Sequence, residues 1–96
     1  MVIIAGMIYI EARLRDRHVA SMAEFVRDTR TKPGCLDFAM SADPVEPGRV
    51  NLYERWDSEE QLEAFRATAA PPEAVAEILA EDVMKFQIGS FGPAFD

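Results

Sequence analysis

From Cys35 to Ala42 the chain alternates between apolar and polar positions. Leu36, Phe38, Met40 and Ala42 fall on one side and Cys35, Asp37, Ala39 and Ser41 on the other, the period of a half-buried strand. Asp43, Pro44, Pro47 and Gly48 then break the pattern with turn-forming residues. Arg49 to Trp56 resumes it with Val, Leu, Tyr and Trp, so the two strands read as one hairpin. Asp57 or Ser58 caps a helix next, because Ser58 and Gln61 form a Ser-x-x-Gln capping box ahead of Leu62 and Phe65.

Before the hairpin, residues 2 to 12 place apolar side chains on both faces of a strand, with Ile4, Ile8 and Ile10 opposite Ile3, Met7 and Tyr9. One layer of helices covers one face only, so the other face predicts a second copy of the chain. Asp16 is a candidate N-cap for a helix in which Val19, Met22, Ala23 and Val26 recur at helical spacing, ending near Lys32 ahead of Pro33 and Gly34. After the Ser58 helix, Pro71 and Pro72 precede Val75, Ile78 and Leu79, which predicts a further short helix from Pro72. Residues 83 to 91 return to alternation, with Met84, Phe86 and Ile88 on one side and Lys85 and Gln87 on the other, until Pro93 ends the strand. The order is that of an α+β, ferredoxin-like four-stranded antiparallel sheet with helices on one face, in a single domain over residues 1–96.

Composition narrows the function. A net charge of −7, with no basic run to offset it, disfavours nucleic acid and anionic membrane surfaces as partners. The apolar stretch from Val2 to Ile10 is too short to span a bilayer and lacks a basic leader. Cys35 is the only cysteine, which precludes an internal disulfide and suits a reducing cytoplasm. No cluster has metal-ligand spacing, and neither a glycine-rich phosphate loop nor a Ser-His-Asp set is present, so the expectation is no metal and no cofactor.

Pro33-Gly34-Cys35-Leu36 at the entry to the second strand, Tyr53-Glu54-Arg55-Trp56 at the end of the third, and Asp57-Ser58-Glu59-Glu60 at the helix start together resemble the antibiotic biosynthesis monooxygenase (ABM) superfamily. The resemblance implies a dimeric α+β barrel. It implies less about chemistry, because the family includes cofactor-independent oxygenases of aromatic polyketides, quinol monooxygenases, haem-degrading enzymes, a sugar-phosphate isomerase and members with no known activity.

A tryptophan at the position matching Trp56 lines the substrate pocket in the family's oxygenases; the alternative for Trp56 is core packing. Glu54 shares its strand face and is a candidate base, although pairing with Arg13 or Arg49 is the structural alternative. Those oxygenases carry a substrate-contacting asparagine four residues before the tryptophan. Here Leu52 stands there, with Asn51 one place off and so on the opposite strand face. His18, the only histidine, is the second candidate for catalysis, against the usual solvated role of a histidine near a helix start. Phe38 and Tyr53 complete the candidate substrate-binding set with Trp56 and Asn51. Haem-degrading relatives have a histidine on the helix after the third strand, where this chain has Ala69, Ala70, Pro71 and Pro72, which counts against haem.

The expectation is therefore a homodimeric, cofactor-independent monooxygenase that takes a phenolic, quinol or polyketide-like aromatic together with dioxygen. The alternative is a non-catalytic dimeric binding or structural module on the same scaffold.

Overall fold

A computed structural model describes residues 1–95. Four strands, β1 (Val2–Tyr9), β2 (Cys35–Ala42), β3 (Arg49–Trp56) and β4 (Ala80–Gln87), form one antiparallel sheet in the order β2-β3-β1-β4. Helices α1 (Arg15–Ser21), α2 (Ala23–Thr29) and α3 (Glu59–Thr68) complete a ferredoxin-like α+β domain. The hairpin strands match their predicted limits because alternation and turn chemistry are local signals.

Within the hairpin one detail differs. A bulge between Cys35 and Asp37 adds a residue to β2, so Cys35 and Phe38 both face the helices. Leu36, predicted to share Phe38's side, is 43% exposed as a result. In β1, Gly6 has φ +153°, and a Cβ there would lie 2.0 Å from the carbonyl oxygen of Asp82 on β4. Only glycine permits this approach of the two strands. Gly34, at φ +81°, turns the chain from α2 into β2, and its carbonyl accepts the amide of Asp57 at 2.8 Å.

The sheet buries one face. Val2, Ile4 and Trp56 pack with Leu62 of α3, and Ile8, Ile10 and Val50 pack with Ala76. Lys85 and Gln87 on the same side hydrogen-bond Glu59 at the start of α3. The other face carries Ile3, Ala5 and Met7 beside Tyr53, Met84 and Phe86; Met84 is 56% and Phe86 48% exposed.

Three helix predictions are corrected. Ser58 caps α3 as expected, its hydroxyl accepting the Gln61 amide at 3.1 Å. Asp16, in contrast, caps nothing: a 3-10 turn at Ala12–Leu14 runs directly into α1, so Leu14 takes the N-cap position and Asp16 lies in the first turn. The single helix expected up to Lys32 is two, divided at Met22 (φ −92°, ψ −2°). There the Ser21 hydroxyl donates to the His18 carbonyl at 2.6 Å, offering the backbone a partner outside the helical ladder. No helix starts at Pro72. Each proline drives its preceding residue toward extended geometry, and the few residues left are too short a helix to sustain itself. Residues 69–79 instead run as an irregular strap that buries Ala76 and ends where the Leu79 amide donates to Tyr9.

Candidate functional site

A cleft of about 380 Å³ opens between the buried face of the sheet, α1 and the strap. Ile4, Ile8, Leu52 and Val83 form its floor, while Pro71, Pro72 and Ile78 supply a wall from the strap. His18, Glu54, Arg66 and Glu81 are the ionisable groups on its surface. Other hollows, about 220 Å³ beside Phe25 and Thr29 and about 570 Å³ along α1 and α2, hold neither a histidine nor a buried carboxylate.

His18 is 6% exposed, which corrects the expectation of a solvated residue. Helical phase is the cause: His18 and Met22 stand four residues apart on one face of the helical run, and that face meets the sheet. The imidazole Nδ1 is buried and has no hydrogen-bond partner among the described residues. An unpaired ring nitrogen on a side chain that lines a cleft is a candidate hydrogen-bonding group for a ligand.

Glu54 lies on the same sheet face, half-buried, and its Oε1 accepts the indole N–H of Trp56 at 3.0 Å. Burial pushes its carboxyl pKa up; the Trp56 hydrogen bond and the nearby charge of Arg66 oppose that rise. Neither arginine considered from the sequence is its partner. Arg13 pairs with Glu11, and Arg49 with Asp43 and Glu46 at the hairpin end.

The four residues expected to bind substrate are dispersed. Trp56 is fully buried and stacks against Phe65 with ring centroids 5.0 Å apart. Phe38, 4% exposed, joins Phe25 and Phe65 in the same aromatic cluster. Both support the cleft without bordering it. Tyr53 and Asn51 lie on the opposite face of β3. Asn51 is engaged in the hairpin, donating to Asp43 at 2.9 Å and accepting from Arg49 at 2.7 Å. Asp43 is itself held down at about 2 by the Glu46 amide, the Asn51 side chain and the Val45 amide.

Arg66 escaped the sequence reading. Its signal was present: it follows Leu62 by four residues, on the stripe of α3 that turns toward the sheet. Among the described residues no three His, Cys, Asp or Glu side chains converge on a metal position, and no helix is long and apolar enough to cross a membrane.

The architecture and cleft define a small ferredoxin-like α+β protein with a cleft between its sheet and helical layer. The chain belongs to the antibiotic biosynthesis monooxygenase family, whose model matches residues 1–78. It is similar in structure to a Deinococcus radiodurans protein provisionally assigned to the same monooxygenases, at TM-score 0.72 and 17% identity over 100% of both chains. It is also similar to the haem-degrading protein MhuD of Mycobacterium tuberculosis, a structure with two haems in its active site, at TM-score 0.71 and 16% identity over 97% of this chain and 100% of that one. A protein from Bacteroides thetaiotaomicron described as an oxidoreductase candidate of unknown function gives TM-score 0.75 at 17% identity, over 91% of this chain and 96% of that one. At such identities the likeness is one of fold. No curated protein sequence matches the chain.

Proposed function

We propose that the protein is a homodimeric, cofactor-independent monooxygenase acting on a phenolic, quinol or polyketide-like aromatic, with dioxygen as the second substrate. The observation that carries this reading is that His18 and Glu54 line one cleft with a largely aliphatic floor, the first with an unpaired ring nitrogen and the second with a carboxyl whose pKa burial raises. In such a site a base withdraws a proton from the aromatic substrate, and the apolar walls keep water from the anion. His18, with its free nitrogen, is the base, and Glu54 is the hydrogen-bonding group that orients the substrate oxygen.

The chemistry then belongs to the substrate. For an anthrone-type compound, the anion passes one electron to dioxygen, and the two radicals combine through a new carbon–oxygen bond. The peroxide loses water and leaves a carbonyl. One oxygen atom enters the product, and the other departs as water with the two hydrogens of the substrate methylene. No other reductant enters the balance.

Dimerisation follows from the open sheet face, where Ile3, Met7, Met84 and Phe86 would otherwise stay in water. The lone Cys35 accords with a cytoplasmic location. Oxygen uptake on a panel of quinols and anthrone-type phenols tests the activity. Turnover supports the oxygenase, and no turnover on any of them favours a binding module.

A further inference from the structure

The charged groups of the cleft fall at its two ends. Arg66 is the lysine or arginine among its lining residues, and its charge acts on Glu54, which pairs with Ile4 in the sheet. Glu81 pairs with Ile8, four residues on, or roughly 14 Å further along β1 at about 3.4 Å per residue. One end of the cleft thus holds the Arg66 guanidinium beside Glu54 and the other holds Glu81 alone, with aliphatic side chains between them.

Among the described residues Arg66 forms one ion pair, and that pair is solvent-exposed. Its ion-pair partner in the chain is Glu63, one turn back on α3 at 3.5 Å, with the two side chains 45% and 58% exposed. A solvated pair of this kind contributes little and yields readily to a better-aligned anion. Glu54 competes for Arg66 only when ionised, and burial works against that state. His18 supplies the second observation, since it lines the same cavity and its buried Nδ1 has no hydrogen-bond partner among the described residues.

We infer that the cleft selects an aromatic bearing an anionic oxygen group, a carboxylate or an ionised phenol at the edge of the ring, and that Arg66 pairs with that group. This inference rests on the proposed reading of the cleft as the substrate site. Arg66 is then a specificity residue: its planar guanidinium matches a carboxylate at two points, whereas a neutral ester offers it no charge to meet. The ring lies over Ile4, Ile8 and Leu52, and a hydroxyl beside the acid group reaches His18.

The probes are 1-hydroxy-2-naphthoate and its methyl ester, whose binding to the full-length protein is measured by calorimetry while oxygen uptake is recorded separately. The unmodified protein should bind the acid about tenfold or more tightly than the ester. Arg66→Gln should remove that preference and leave ester affinity unchanged, and Arg66→Lys should restore part of it. Equal affinities for acid and ester, undiminished acid binding by Arg66→Gln, or no binding of either probe would each overturn the inference. Arg66-dependent preference without oxygen uptake upholds the anion site and removes the oxygenase reading. Equal turnover of acid and ester with oxygen uptake does the reverse.

Discussion

The indole N–H of Trp56 donates to the Glu54 carboxylate at 3.0 Å, from two positions along the same face of β3. A side chain wholly enclosed in the core thereby sets the orientation of one that reaches the cleft. The strand's period of two makes the arrangement natural, since residues two apart share a face and lie within reach of one another.

Truncating Trp56 should therefore act first on stability. Trp56→Ala is expected to cost about 3–5 kcal/mol, the range for deleting a large buried aromatic. Trp56→Phe keeps most of the packing and removes the donor, so it should cost less and raise the Glu54 pKa further. Urea denaturation of both variants, with NMR titration of the Glu54 carboxyl in the second, checks the pair of effects. An unchanged midpoint for Trp56→Ala would show that the indole is not part of the core.

The raised pKa of Glu54 has a definite sign in the pH dependence of folding. The folded state holds the proton more tightly than the unfolded chain, so stability declines as pH rises from the unfolded carboxylate value to the folded one, and levels off above it. Glu54→Gln removes this decline. The variant should gain on the parent protein as pH increases through the mildly acidic range, measured by denaturant midpoints at successive pH values. Parallel profiles for the two proteins would contradict the assignment of burial as the dominant cause.

Lysine substitution on β1 separates its two faces. Ile8 is 5% exposed beneath the helices, whereas Met7 lies on the open face. Ile8→Lys should destabilise the chain strongly, because it takes an aliphatic side chain out of the core and puts a charge in its place. Met7→Lys should leave circular dichroism intact and halve the mass seen by sedimentation. An Ile8→Lys as stable as the unmodified protein, or a Met7→Lys that sediments as the unmodified protein does, would contradict this assignment of faces.

Much of the architecture was legible because its signals are local. Residues 35–42 and 49–56 declare their strands by alternation, Pro44 to Gly48 declare the turn between them, and Ser58 with Gln61 declares the helix start. What was not legible depends on contacts between distant residues. The bulge after Cys35 follows from pairing with β3, and the strap over residues 69–79 follows from the burial of Ala76 against Ile8 and Val50. Of the site, His18 and Glu54 were readable as chemistry but not as neighbours of one cleft. Their convergence depends on the phase of α1, which the 3-10 turn at Ala12–Leu14 sets. Arg66 stood among other charges on α3 and gained meaning only from the direction of that helix.

The central claim is that His18 and Glu54 serve one oxygenation site, and oxygen consumption by the purified protein on an anthrone-type phenol tests it most directly. The unmodified protein should consume one dioxygen per carbonyl formed. His18→Gln should lower kcat by about 100-fold or more, the scale of losing a general base, in a protein that still folds and dimerises. Glu54→Gln, which retains an oxygen acceptor for the Trp56 N–H, should lower it less. Turnover that is unaffected by His18→Gln, or no oxygen uptake by the unmodified protein on any such phenol, would contradict the account.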